Sequence, residues 1–196
     1  MKLLVATQNP GKAREFQLLL APLEMDVCFP FDLGLHVDVP EDGDTYFDNA
    51  AQKALAYAKA SGLLTLADDS GLEVDSLDGA PGIHSARYAP GHDIDRLEAL
   101  LACLKDVPPK QRTARFRCVV VIASPDGETP SAEGVCEGRI TSEPAGRGGF
   151  GYDPIFFLPE YNRTMAQLSQ EEKNRVSHRS RAVEAALPIL RRLLAK

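Results

Sequence analysis

The sequence predicts an α/β fold with a central mixed β-sheet flanked by helices, and three stretches carry that expectation. KLLVA, at Lys2–Ala6, is a short apolar run stopped by the polar TQNPG, and Lys12–Leu20 behind it places Ala13, Phe16, Leu19 and Leu20 at helical spacing. ARFRCVVVIA, at Ala114–Ala123, is β-branched and continuous enough for a central strand, and the Asp126-Gly127 turn returns Ser131–Ile140 antiparallel to it. The C-terminal third is helical: Ser169 with Glu172 forms a capping box, and Ser177 opens a last helix. Together these stretches describe one α/β unit with a mixed sheet.

The remaining elements fall between those anchors. Met25–Phe29 reads as a second strand and Asp38–Asp44 (DVPEDGD) as a loop. Thr45 caps a helix with Asp48 three positions on, and Ala50, Ala51, Ala54, Leu55, Ala58 and Ala60 give that helix a small, close-packing face before Gly62 ends it. Leu63–Ala67 is strand-like and runs into a turn at DDSG, Asp68–Gly71. Asp93–Lys105 reads as a helix before the VPPK breaker. The glycine cluster GRGGFG precedes a YDP turn and a final short strand at Ile155–Leu158. Pro188 is expected to kink or split the last helix. With no repeat, low-complexity tract or linker, residues 1–196 read as a single domain.

Composition narrows the function. Hydrophobic residues make up 44% and charged residues 26% of the 196, an ordinary globular balance. No run is long and apolar enough for a membrane span, and MKLLVATQNPGK turns polar too soon for a signal peptide. A net charge of −6 argues against non-specific binding of nucleic acid but leaves room for a nucleotide pocket built from a few local cations. Cys28, Cys103, Cys118 and Cys136 form no C-x-x-C pair and have no histidine at zinc spacing, so they read as plain thiols of a reducing compartment.

Four segments carry candidate chemistry. Thr7, Gln8, Asn9, Pro10, Gly11 and Lys12 lead from a strand into a helix. Hydroxyl, amide, flexible backbone, lysine and free helix N–H groups there suit a phosphate, though a capped helix start with a solvated lysine reads as well. GRGGFGYDP, residues 146–154, formally matches the dinucleotide fingerprint but lacks the following helix, so a Rossmann site is rejected. Its glycines still permit close approach of a ligand and Phe150 and Tyr152 offer flat faces for a base; the alternative is a glycine loop with aromatics plugging the core. Ser177-His178-Arg179, with Lys173 one turn upstream, offers donors for a keto oxygen or phosphate, or else a basic helix start on the surface. Glu41, Asp68 and Asp69 supply hard oxygen ligands of the kind that take Mg²⁺, unless they form a solvated turn. In regular strand Asp68 and Asp69 would face opposite sides. Taken together, the four segments describe the parts of a nucleoside triphosphate.

The same segments resemble the inosine triphosphate pyrophosphatase family. The match runs in order over nearly the whole chain: T-x-N-x-x-K at Thr7–Lys12, E-x-G-x-T-[FY] at Glu41–Tyr46, N-A at Asn49-Ala50 and ADDSGL at Ala67–Leu72. GAPG-I-x-SARY at Gly79–Tyr88, SEPAGRGGFGYDPIF up to Phe156 and SHR at Ser177–Arg179 complete it. The resemblance implies an elongated fold of two lobes with an active-site cleft between them, a homodimer, and a cytoplasmic enzyme. It further implies Mg²⁺-dependent hydrolysis of ITP, dITP and XTP to the monophosphate and pyrophosphate. Carried over, Thr7–Lys12 and Lys53 hold the phosphates, Glu41 and Asp69 serve the metal, and Asp69 is also the base for water. Ser70, Phe150, Gly151, Tyr152, Asp153, Lys173, His178 and Arg179 contact the nucleotide. A Maf-like pyrophosphatase with other substrates is the alternative, disfavoured by ADDSGL and SHR. A sensor without turnover is disfavoured by the presence of Lys12, Glu41, Lys53 and Asp69.

Overall fold

A computed structural model describes residues 2–23 and 25–194. Its sheet has seven strands: β1 (Lys2–Val5), β2 (Asp26–Cys28), β3 (Leu64–Val74), β4 (Thr113–Ala123), β5 (Ser131–Ile140), β6 (Phe156–Leu158) and β7 (Arg163–Thr164), in the order β2-β1-β3-β4-β5-β6-β7. The helices are α1 (Pro10–Leu20), α2 (Tyr46–Ser61), α3 (Asp93–Cys103), α4 (Gln170–Val176) and α5 (His178–Leu194). β1 pairs in parallel with both β2 and β3, while β6 is antiparallel to β5 and to β7, so the sheet is mixed. β5 lies beside β4 after a loop of residues 124–130, too short for a parallel crossover, so this pair forms the expected hairpin.

Local chemistry sets most boundaries. Asn9 caps α1 by accepting the N–H groups of Gly11 and Lys12, and Pro10 fills a first-turn position where no N–H is needed. Thr45 caps α2 by accepting from Asp48, and Gly62 ends it at φ 70. Of the expected small face, Ala50, Ala54 and Ala58 are buried, whereas Leu55 is exposed. Ser169 and Glu172 form the expected box at α4.

Three expectations change. DDSG is not a turn: β3 continues unbroken through Asp68–Gly71 to Val74. The last helix is not split, since α5 runs as one element through Pro188. Ile155–Leu158 is not the final strand, because β7 follows it.

The chain separates into two compact units. Of the described residues, one contains those between 2 and 69, 118–134 and 179–194; the other contains 70–117 and 135–178. Each has its own core. In the first, Leu3, Val5, Phe16, Leu66, Val120, Ile122, Val183 and Leu190 pack together. In the second, Leu72, Leu97, Leu100, Phe116, Tyr152, Ile155 and Phe156 do so. Each such large apolar side chain contributes about 1.5–3 kcal/mol when fully buried. Among the described residues no helix is long and apolar enough to cross a membrane.

Candidate active site

In the first unit the charged candidates gather just beyond the end of β1. Thr7 is buried, its Oγ1 accepting the Asn9 N–H at 3.2 Å, and Gln8 donates to the Tyr57 hydroxyl at 3.1 Å. The first turn of α1 differs from expectation. Asn9 Oδ1 takes the Gly11 and Lys12 N–H groups at 2.8 and 3.1 Å and Pro10 has none, so those two groups are spent on the cap. What the turn does supply is Lys12, whose Nζ lies 3.0 Å from Asp68 Oδ2.

Asp68 and Asp69 are successive residues of an unbroken strand, so they point to opposite faces and meet different partners. Asp68 is buried and accepts from Arg179 Nε at 3.3 Å and Nη2 at 3.1 Å; the Cys118 thiol is 3.8 Å from the same oxygen. Arg179 Nη1 in turn donates to Glu15 at 2.5 Å. Burial alone would raise the Asp68 carboxyl, but Lys12, Arg179 and Lys53 outweigh it and hold it well below the usual carboxylate range. Two like charges side by side in β3 are therefore tolerated partly because protein cations claim one of them.

Asp69 is buried too and accepts one hydrogen bond from Asn49 Nδ2 at 3.1 Å. Its carboxyl is pushed up by burial, more than Lys12, Lys53 and Asn49 pull it down. Asn49 and Lys53 sit one turn apart on α2, which places both side chains on the face toward β3. Lys53 donates to the Asp68 backbone carbonyl at 3.1 Å and is paired with Glu41 from the loop before α2. Burial would lower the Lys53 ammonium, but Asp68 and Glu41 hold it above its ordinary value.

The second unit holds the remaining candidates. Asp153 organises its loop, accepting the Phe150 N–H at 3.0 Å and Lys173 Nζ at 2.5 Å, and the Lys173 ammonium sits 5.0 Å above the Phe150 ring. Gly151 N–H donates to Asp93 at 2.7 Å. Tyr152 is a core residue whose hydroxyl donates to the Ser85 carbonyl at 2.9 Å, and burial drives that phenol far up. His178 is buried and stacks on Phe116 with centroids 4.7 Å apart. Ser70 is half-buried in β3.

The glycines of this loop serve the chain itself. A side chain at Gly146 would sit 2.5 Å from the Ala166 backbone, and Gly148 N–H donates to the Ala166 carbonyl at 2.9 Å. No helix follows: a 3₁₀ turn at Asp153–Ile155 leads straight into β6, in keeping with rejection of a Rossmann site. The SHR segment is not a surface helix start either, since Ser177, His178 and Arg179 are all buried.

Among the described residues no three His, Cys, Asp or Glu side chains converge as a metal cage. All four cysteines are free thiols, three of them buried. Mg²⁺ needs no such cage, because it is commonly held by one or two carboxylates together with water and substrate phosphates. The buried Asp69 carboxylate and that of Glu41, tied to α2 through Asn49 and Lys53 respectively, fit that manner of binding.

Sequence reasoning missed Glu15, Tyr57 and Asp93 and gave Asn49 no role. Glu15 sits among the apolar residues of α1, and a buried charge in that register was the available signal.

Fold and cluster define the class: an α/β protein whose charged side chains converge past the end of a parallel strand, where such sheets place ligands. The Ham1 family model matches residues 3–189, and the chain belongs to that family. A dITP/XTP pyrophosphatase of Desulforamulus reducens is 52% identical over 98% of this chain and 97% of its own length. That of Bacillus subtilis is 44% identical over 95% and 96%. The Ham1 protein of Staphylococcus aureus superposes with a TM-score of 0.85 at 40% identity, covering 97% of this chain and 98% of that one. A HAM1 protein from Coxiella burnetii gives 0.88 at 39% identity, covering 98% and 99%.

Proposed function

We infer that this chain hydrolyses deaminated purine nucleoside triphosphates, ITP, dITP and XTP, to the monophosphate and pyrophosphate. The observation that carries the reading is the charge cluster of the first unit. Lys12 and Lys53 stand over the backbone and side chain of Asp68 with the buried Asp69 beside them, in a chain about half identical to named dITP/XTP pyrophosphatases.

Lys12 and Lys53 bind the triphosphate, with Thr7–Gly11 lining the same turn, and their positive charge stabilises the pyrophosphate as it leaves. Asp69 accepts the proton of the attacking water at its carboxylate, and the upward push that burial gives this group makes it a better base. Glu41 and Asp69 would hold Mg²⁺, which when bound adds charge stabilisation at the phosphates. Lys12 and Arg179 keep Asp68 ionised, Arg179 holds it in place, and Asp68 in turn aims Lys12.

Phe150, Gly151, Asp153, Lys173, His178 and Ser70 take the base and sugar, while Tyr152, the flat face expected for a base, instead anchors their loop in the core. A buried donor meeting a 6-keto oxygen is left unpaired by adenine's amino group, which costs about 1–3 kcal/mol, or roughly tenfold to hundredfold in selectivity. A single catalytic domain of two lobes, a homodimer and a cytoplasmic site of action complete the reading; these rest on the family resemblance, and the free thiols suit a reducing compartment.

The test is pyrophosphate release from ITP, XTP, ATP, GTP and dTTP with Mg²⁺. Fast release from ITP and XTP alone is expected. Preference for dTTP would favour the Maf-like alternative, and binding of ITP without turnover would favour a sensor.

A further inference from the structure

Asn49 is buried, 1% exposed, and both ends of its amide are engaged. Nδ2 donates to Asp69 Oδ2 at 3.1 Å, and Oδ1 accepts the Gly43 N–H at 2.9 Å. Gly43 belongs to the loop that carries Glu41, and Glu41 pairs with Lys53 one turn further along the same helix. One side chain therefore ties the strand bearing Asp69 to the loop bearing Glu41. The loop is seated tightly, since a side chain at Gly43 would lie 2.6 Å from Asp48 Cβ.

We propose that Asn49 is a positioning residue which fixes the spacing of the Asp69 and Glu41 carboxylates, and with it the geometry of the divalent cation they take. The inference rests on the functional reading above. A rigid amide suits this task because its donor and acceptor diverge from one planar group, so neither the Asp69 carboxylate nor the loop that carries Glu41 can shift without breaking a hydrogen bond. Groups that orient metal-binding carboxylates in this way typically matter tenfold to hundredfold in affinity or rate. Aspartate at this position would accept but not donate, and leucine would do neither.

The test compares the full chain with Asn49→Leu, which is close in volume, and with Asn49→Ala, which retains helix propensity where leucine does not fit. Two quantities are read: kcat and KM for ITP at saturating Mg²⁺, and affinity for Mn²⁺ by electron paramagnetic resonance with α,β-methylene-ITP present. Expected are a kcat lowered about tenfold to hundredfold, a KM within about threefold, and Mn²⁺ affinity down about tenfold. A variant that melts lower yet keeps kcat and Mn²⁺ affinity within twofold would overturn the proposal and leave Asn49 a packing residue. Wild-type protein that binds Mn²⁺ without hydrolysing ITP overturns the functional reading alone, and the Mn²⁺ comparison then decides the role of Asn49. Wild-type protein that does neither overturns both.

Discussion

Arg179→Met tests the buried ion network most severely. The guanidinium is 1% exposed and spans two carboxylates, meeting Asp68 at 3.1 and 3.3 Å and Glu15 at 2.5 Å. Methionine fills much of the same volume but leaves Glu15 without that cation and Asp68 with Lys12 and Lys53 as its positive neighbours. Removing one partner of a buried pair costs about 3–5 kcal/mol, because the charge left behind is neither solvated nor compensated. For a chain of this length, that corresponds to a melting temperature lower by roughly 6–20 °C. The assay is urea unfolding followed by circular dichroism at pH 8 and pH 5. The loss should be largest at pH 8 and narrower at pH 5, since a stranded buried carboxylate takes up a proton rather than stay charged. A loss below about 1 kcal/mol, the range of an exposed pair, would refute the network as a stabilising element. So would a loss that ignores pH.

Three further outcomes follow from the same geometry. Gly149 sits at φ 72 and a side chain there would collide with the Asp153 carboxylate, so Gly149→Ala should displace the Phe150 loop and raise KM for ITP about tenfold while kcat changes less; unchanged KM would separate this loop from binding. The Asp68 carboxyl is depressed, so its stabilisation is complete above the ordinary carboxylate value of about pH 4 and disappears as pH falls through its lower folded value. Acid unfolding of Asp68→Asn should accordingly show a shallower loss of stability below pH 4 than wild type, and parallel curves would contradict the assignment. Chelation with EDTA should abolish ITP hydrolysis and added Mg²⁺ restore it, as pyrophosphate release would show; full activity in EDTA would remove the role given to Glu41 and Asp69.

Much of the scaffold was legible because local rules agreed with the final structure. Ser131–Ile140 is β5 to the residue, since a hairpin turn and alternating burial leave little freedom. The caps at Thr45 and Ser169 are satisfied within four residues of chain, so sequence alone contains all the partners. DDSG failed for the opposite reason. Its polar residues favour turns by local propensity, but the charge of Asp68 is offset within the strand by Lys12 and Arg179, 56 and 111 positions away, which no local pattern announces. β7 is a two-residue strand, Arg163–Thr164, with too little pattern to read. Pro188 is expected to kink or split the last helix; it does not split it, because Ala186 and Leu190 are buried on either side of it and α5 stays in one piece.

The candidate site divides along the same line. Lys12 and Asp69 stood out as candidates because their residue types state their chemistry, and Lys53 entered through the family resemblance. The functions of their neighbours did not stand out, because Asn49, Glu15 and Arg179 acquire meaning only from partners 20, 164 and 111 positions distant. Asn9 shows the converse: an amide at a helix mouth reads equally as a phosphate donor or a cap, and distance alone assigns its oxygen to the cap.

The most direct test of the central claim is the destination of the water oxygen. A single turnover of ITP with Mg²⁺ in ¹⁸O-labelled water, read by mass spectrometry, should place one heavy oxygen in inosine monophosphate and none in pyrophosphate, as attack at the α-phosphorus demands. Label in pyrophosphate, or release of labelled orthophosphate with inosine diphosphate, would contradict the account.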